Sequence, residues 1–175
     1  ESVARSEVMV SEYGGKIFHS YDDLLSCKDV SGVIVATPNI FHVEHAVKAL
    51  DLGKYVLLEK PASISFEESK KLSNHPLAST HLYLGLVCRE AESVIRVKNK
   101  INEGYLGEIF HIQMTLARFR GIPGLGKWFT NLKKSGGGVL IDLGVHILDA
   151  AWYLADYPCP FRVSGQIRSD FGSDI

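Results

Sequence analysis

The sequence predicts an α/β protein: a parallel, doubly wound sheet over residues 1–89, followed by the start of an α+β domain with an open antiparallel sheet over residues 90–175. Three observations predict it. Short apolar runs occur at Gly32–Ala36 (GVIVA, rich in β-branched residues), Tyr55–Leu58 and His81–Leu86, and such runs suit buried strands. Helical periodicity fills the gaps between them, the alternation of a parallel sheet. Beyond Arg89 the runs give way to partly alternating segments, which suit a sheet covered on one face.

Each element has its own local reason. Lys16–Phe18 reads as a short strand and Tyr21–Leu25 as a short helix. Pro38 disfavours helix at Thr37, and Asn39 is a natural N-cap for the next helix. From Phe41 to Leu52, Val43, Ala46, Val47 and Leu50 recur at helical spacing, and Gly53 marks the stop. Ser65 and Glu68 fit a capping box for a helix through Leu72. Val94, Val97, Lys98 and Ile101 outline another helix, closed by Gly104. Glu108–Arg118 and Phe161–Arg168 read as strands, separated by a loop through Gly121, Gly124 and Gly126 and by a helix from Val139 to Leu154. The domain change is placed at Arg89–Ala91.

Composition excludes several classes. Of 175 residues, 46% are apolar and 22% charged, which is globular rather than disordered. Nineteen basic residues against twenty acidic ones give a formal charge of −1, so no whole-chain field steers the protein to nucleic acid or anionic lipid. The longest apolar tract, Gly137–Ala155, contains Asp142, His146 and Asp149, which argues against a membrane span. Glu1–Arg5 is not an apolar core behind a basic start, so no signal peptide is expected. Cys27, Cys88 and Cys159 are odd in number and far apart, which points to a reducing, cytoplasmic setting.

Ligands on parallel sheets bind beyond the carboxyl ends of the strands. Thr37-Pro38-Asn39, Glu59-Lys60-Pro61 and Arg89 all follow strand ends, so they point toward one crevice. A lysine at such an end places its ammonium near a substrate oxygen; on the tripeptide alone, a turn with a solvated lysine is the simpler reading. Asp142 and His146 are four apart on one helix face, with Asp149 three beyond. A carboxylate beside an imidazole orients it as a general base; a histidine packed in the core is the competing reading. His42, His45, Asp142 and His146 would be the ligands of a metal-dependent hydrolase, but no HExxH motif or cysteine set accompanies them, and no metal is expected. Trp128-Phe129 read as packing residues.

Together these motifs resemble a family. VIVATPNIFH (Val33–His42), LLEKP (Leu57–Pro61), GLVCR (Gly85–Arg89), GYLGEI (Gly104–Ile109) and SGGGVLIDLGVHILD (Ser135–Asp149) stand in the order of the glucose–fructose oxidoreductase/inositol dehydrogenase/rhizopine-catabolism (Gfo/Idh/MocA) family. The resemblance spans Lys16 to Ser169. It implies an NAD(P)-dependent oxidoreductase with a dinucleotide-binding Rossmann domain and a second domain on an open antiparallel sheet. It implies hydride transfer between nicotinamide and a secondary alcohol or carbonyl of a sugar, polyol or related small molecule. Lys60 matches the lysine that hydrogen-bonds the substrate hydroxyl, with the Lys60–Pro61 bond cis; Asp142 and His146 match the acid–base positions. Thr37, Pro38, Asn39, His42, Glu59, Lys60 and Arg89 match positions lining the cofactor crevice. A homo-oligomer through the second domain's sheet is implied too.

The chain departs from that pattern in lacking GxGxxG after a first strand, the usual seat of the pyrophosphate. The family's phosphate loop would precede Glu1, so the chain reads as a fragment that binds dinucleotide poorly. Arg5-Ser6, if it follows a strand, favours NADP over NAD. The alternative class is a non-catalytic relative that binds a nucleotide or metabolite as a sensor or partner subunit.

Overall fold

A computed structural model describes residues 3–117 and 127–168. The loop read through Gly121, Gly124 and Gly126 lies outside the described residues, as do Arg118 and Ser169. The chain forms two compact units, Glu1–Val87 with Leu116–His146 and Cys88–Thr115 with Ile147–Ile175. The stretch Leu116–His146 therefore goes with the first unit, which a single cut after residue 89 does not express.

The first unit opens with helix α1 (Val3–Tyr13), which buries none of its residues. Helix α2 (Tyr21–Ser26) starts where the Ser20 hydroxyl accepts from the Asp23 amide at 3.0 Å. Strands β1 (Gly32–Val35), β2 (Tyr55–Leu58) and β3 (Leu82–Leu84) form one parallel sheet in the order β1-β2-β3. Helix α3 (His42–Asp51) crosses from β1 to β2, and α4 (Phe66–Ser73) with α5 (Ala78–His81) crosses from β2 to β3. Past α3, Gly53 takes φ +68, a left-handed conformation that suits glycine, and the Lys54 amide reaches back to the Ala49 carbonyl at 3.0 Å. At α4 the Ser65 hydroxyl accepts from the Glu68 amide at 3.2 Å, half of the expected capping box. The other half shifts by one residue, since the Glu68 carboxylate takes the Ile64 amide.

The core lies on one face of this sheet. Val33, Val35, Val56 and Leu58 pack against Val43, Ala46, Ala49 and Leu50 of α3 and Leu72 of α4. The opposite face differs from expectation. The apolar runs of β1 and β2 predict burial on both faces, yet burial alternates along both strands. Ile34 is 71% exposed, Leu57 43% and Tyr83 58%. Helix α3 covers the Val33 face, while the Ile34 face meets solvent.

Three further expected strands differ. Lys16–Phe18 is not a strand, and Glu108–Ala117 and Phe161–Arg168 pair with no strand among the described residues, where the only sheet is three-stranded. An extended segment becomes sheet only when a neighbour takes its amides and carbonyls. These segments leave Phe110, Phe161, Val163 and Ile167 exposed, so no described residue covers the apolar face that antiparallel pairing needs. The second unit is built instead on α6 (Glu92–Asn102) and most of α8 (Val145–Leu154).

Candidate active site

The sheet register brings the three strand ends level. Val35 pairs with Leu58, and Leu58 with Leu84. Thr37-Pro38, Glu59-Lys60 and Gly85 therefore leave the sheet at one edge. Glu59 and Gly85 extend the ladder by one bond each, to the Val35 and Leu58 carbonyls. The Lys60–Pro61 peptide is cis, as expected.

At this edge Lys60 meets Asp142. Lys60 Nζ lies 2.7 Å from Asp142 Oδ1 and 2.9 Å from the Asp142 carbonyl oxygen. Both side chains are largely buried, 20% and 25% exposed. A lysine and a carboxylate in such a pair form a charge-assisted bond, stronger than a neutral one. The expected α-helix over Val139–Leu154 is not uniform. Leu140–Gly144 forms a π-turn, where the Val145 amide reaches the Leu140 carbonyl five residues back, and α8 follows. Asp142 sits in the middle of that turn. Such turns recur at functional sites because one extra residue re-aims the side chains around it. His146 lies in the first turn of α8, half-buried.

The segment before the π-turn is fixed by glycine. Helix α7 (Leu132–Ser135) ends at Gly136, which takes φ +83. A Cβ there would lie 2.5 Å from Ile64 Cβ, so a side chain is excluded twice, by conformation and by space. Ser135, nearly fully buried, donates from its hydroxyl to the Asn131 and Gly137 carbonyls. By sequence, Gly136-Gly137-Gly138 reads only as the lead-in to a helix. The glycine run signals an unusual backbone at Gly136, but nothing in it points to Ile64.

Other predicted site residues are placed differently. Asn39 does not cap α3; it lies inside a 3-10 turn, Asn39–Phe41, and its amide Nδ2 donates to the Ser135 carbonyl at 2.8 Å. His42 is buried, with Nδ1 2.7 Å from the Pro61 carbonyl oxygen and Nε2 2.8 Å from that of Thr37. Neither ring nitrogen faces outward as a ligand. Thr37, Pro38 and Glu59 are half-buried at the edge. In the second unit, Arg89 binds Asp149 through Nε at 2.7 Å and through Nη2, and stacks near Tyr153 and Tyr157. The hydrogen bond to Asp149 raises the Arg89 pKa further. Asp149, expected as a neighbour that orients His146, gives its carboxylate to Arg89 because the guanidinium fork matches both oxygens. Arg5-Ser6 lies within α1 rather than after a strand, which removes the ground for NADP over NAD.

Sequence reasoning misses a cluster beside Thr37. His45 Nδ1 lies 3.3 Å from Thr37 Oγ1, and the Tyr21 hydroxyl donates to the His45 carbonyl at 2.8 Å. Burial lowers the His45 pKa from 6.5. Burial, with Asp22 nearby, pushes the Tyr21 hydroxyl up to about 12. Among the described residues no three His, Cys, Asp or Glu side chains group to hold a metal ion. One run there, Leu132–Leu154, is long and apolar enough to cross a membrane by length and composition. It is interrupted at Gly136 and carries the Asp142 carboxylate to Lys60.

Comparison with known proteins agrees with this architecture. Residues 1–80 match the model of the oxidoreductase family with an NAD-binding Rossmann fold, and residues 94–173 match the GFO/IDH/MocA C-terminal domain. The chain is 32% identical to a D-glucoside 3-dehydrogenase of Escherichia coli over 98% of its own length and 49% of that protein's. It is 36% identical to a glucose-6-phosphate 3-dehydrogenase of Bacillus subtilis, over 85% of this chain and 43% of that one. The crystal structure of an NAD-binding protein from Listeria innocua superposes with a TM-score of 0.74 at 32% identity, covering 88% of this chain and 44% of that one. The chain thus spans half or less of the length of these relatives.

Proposed function

The chain belongs to the Gfo/Idh/MocA oxidoreductase family, and from that premise we propose that the protein is an NAD(P)-dependent dehydrogenase acting on a secondary alcohol of a sugar, polyol or related small molecule. The observation that carries the reading is the Lys60–Asp142 pair at the carboxyl edge of the parallel sheet. Two relatives named as dehydrogenases of a glucoside and a sugar phosphate support the substrate class.

The residues present fit the nicotinamide end of a dinucleotide. Half-buried Thr37, Pro38 and Glu59 flank a lysine at level strand ends, the place where such sheets take ligands. When bound there, nicotinamide would supply the hydride acceptor for the carbinol C–H. Lys60 Nζ, held from one side by Asp142, points a donor at the reacting hydroxyl oxygen. His146 takes the hydroxyl proton as the carbonyl forms; Lys60 takes it instead only if its own proton has first passed to Asp142, its partner at 2.7 Å. Both NAD and NADP are compatible with these residues. Cys27, Cys88 and Cys159 are all free thiols, which supports a reducing, cytoplasmic setting. Self-association would use the exposed apolar side chains of Glu108–Ala117 and Phe161–Arg168.

The test is an assay of the natural-length protein with NAD and NADP against a panel of glucosides, sugar phosphates and polyols. The expected result is substrate-dependent reduction of one nicotinamide. Tight binding of a sugar without reduction of either would overturn the reading in favour of a sensor or partner subunit.

A further inference from the structure

We propose that Asn39 and His42 are positioning residues that brace the two partners of the Lys60–Asp142 pair from one turn of chain. The family resemblance placed both in the cofactor crevice, but the structure turns their polar atoms inward. Asn39 is 6% exposed and His42 1%.

The two side chains reach opposite partners. His42 Nδ1 meets the carbonyl of Pro61, the residue directly after Lys60, at 2.7 Å. Its Nε2 lies 2.8 Å from the carbonyl oxygen of Thr37, so the ring sits between the ends of β1 and β2. Asn39 Nδ2 donates to the carbonyl of Ser135 at 2.8 Å. Ser135 begins the segment that runs through Gly136 into the π-turn of Asp142. A carbonyl oxygen only accepts, so the Asn39 contact depends on its Nδ2 donor, and the single N–H of a neutral His42 ring serves one of its two carbonyls, according to the tautomer. Buried donors and acceptors are costly to leave unpaired, which makes these contacts hard to give up.

The arrangement has a single origin. Asn39 and His42 are three apart, one above the other on the turn that opens α3. One arm holds the lysine's loop and the other holds the aspartate's segment. The 2.7 Å separation of Lys60 Nζ and Asp142 Oδ1 is then set against a common anchor rather than by two independent loops. Close contact of Gly136 with Ile64, four residues past Lys60, closes the same frame from the other side. What the brace serves rests on the dehydrogenase reading; that it holds the pair does not.

The test therefore reads the pair without turnover. The chain is labelled with a limiting amount of an acetylating reagent, and acetylation of each lysine is quantified by mass spectrometry. Lys48, half exposed on α3, is the internal reference. In the wild type Lys60 is expected to react slowly relative to Lys48, and Asp142→Asn sets the level for a broken pair. Asn39→Asp keeps the side-chain volume but replaces the donor with an acceptor against the Ser135 carbonyl. It is expected to raise the Lys60-to-Lys48 ratio several-fold toward that of Asp142→Asn. Asn39→Ser and His42→Gln, each keeping one donor, are expected to give smaller rises, and they serve if Asn39→Asp does not fold. An unchanged Lys60 ratio in any of these variants, folded by circular dichroism, overturns the proposal. In the natural-length protein the same variants are expected to lower kcat with little change in the KM for cofactor. A rise in KM without loss of kcat would also overturn it. A wild type with no turnover but with the expected labelling would reject the dehydrogenase reading alone.

Discussion

Lys60 Nζ contacts two oxygens of one residue, the carboxylate and the carbonyl of Asp142. A donor held twice by the same partner has little freedom to swing, and a proton-transfer group gains most from a fixed position. Lys60→Met in the natural-length protein is expected to lower turnover by about 10²–10⁴-fold, measured by steady-state kinetics with folding checked by circular dichroism. Unchanged turnover would remove Lys60 from the chemistry. His45 gives a second prediction, in pH. Burial holds its folded pKa below 6.5, so the unfolded chain binds the proton first, and stability is lost as pH falls from about 6.5 downward. The melting temperature is expected to drop on acidification from about pH 7.5 to about pH 5, and less in His45→Gln. An equal drop in both would reject the assignment. Lys60 is legible in the sequence because it follows an apolar strand directly, and Asp142 because it stands four residues before His146. The partners of Asn39 and His42 are not, since burial and a contact 96 residues away leave no periodic trace.

At the scale of elements, the π-turn and the glycine before it decide where Asp142 lies. Gly136→Ala would place a methyl 2.5 Å from Ile64 Cβ at φ +83. Strain of this kind costs of order 1–3 kcal/mol, so a lower melting temperature is expected. Ile64→Gly is expected to restore part of the loss when combined with Gly136→Ala, because it removes both the Cβ and the Cγ2 that lie 2.5 Å from the added methyl and leaves the backbone strain at Gly136. Full additivity of the two losses would show that the contact does not matter. Helix α3, helix α4 and strands β1 to β3 are readable from periodicity and from Ser65 and Gly53. The π-turn is not, because Leu140–Gly144 carries the same apolar spacing as an α-helix and differs only in which carbonyl each amide reaches.

Over the whole molecule, the apolar sequence of the sheet exceeds what this fold buries. Ile34, Tyr55, Leu57 and Tyr83 form an exposed apolar surface beside the covered Val33, Val35, Val56 and Leu58. Contiguous apolar surface binds hydrophobic dyes and favours association. The chain is expected to enhance 8-anilinonaphthalene-1-sulfonate fluorescence, and Ile34→Thr with Tyr83→Thr is expected to lower that signal several-fold with little change in melting temperature. A large fall in melting temperature instead would mean that this face is buried in solution. The runs of β1 and β2 identify the strands, but a run apolar at every position cannot say which face a neighbour covers.

That uneven covering has a genetic reading. In a saturation library of this chain selected only for folding, codons 33, 35, 56 and 58 would reject polar amino acids while 34, 55, 57 and 83 would accept them. Selecting the natural-length protein for activity would withdraw that tolerance wherever another surface rests on the sheet. The gap between the two libraries would apportion each strand's apolar residues between folding and contact.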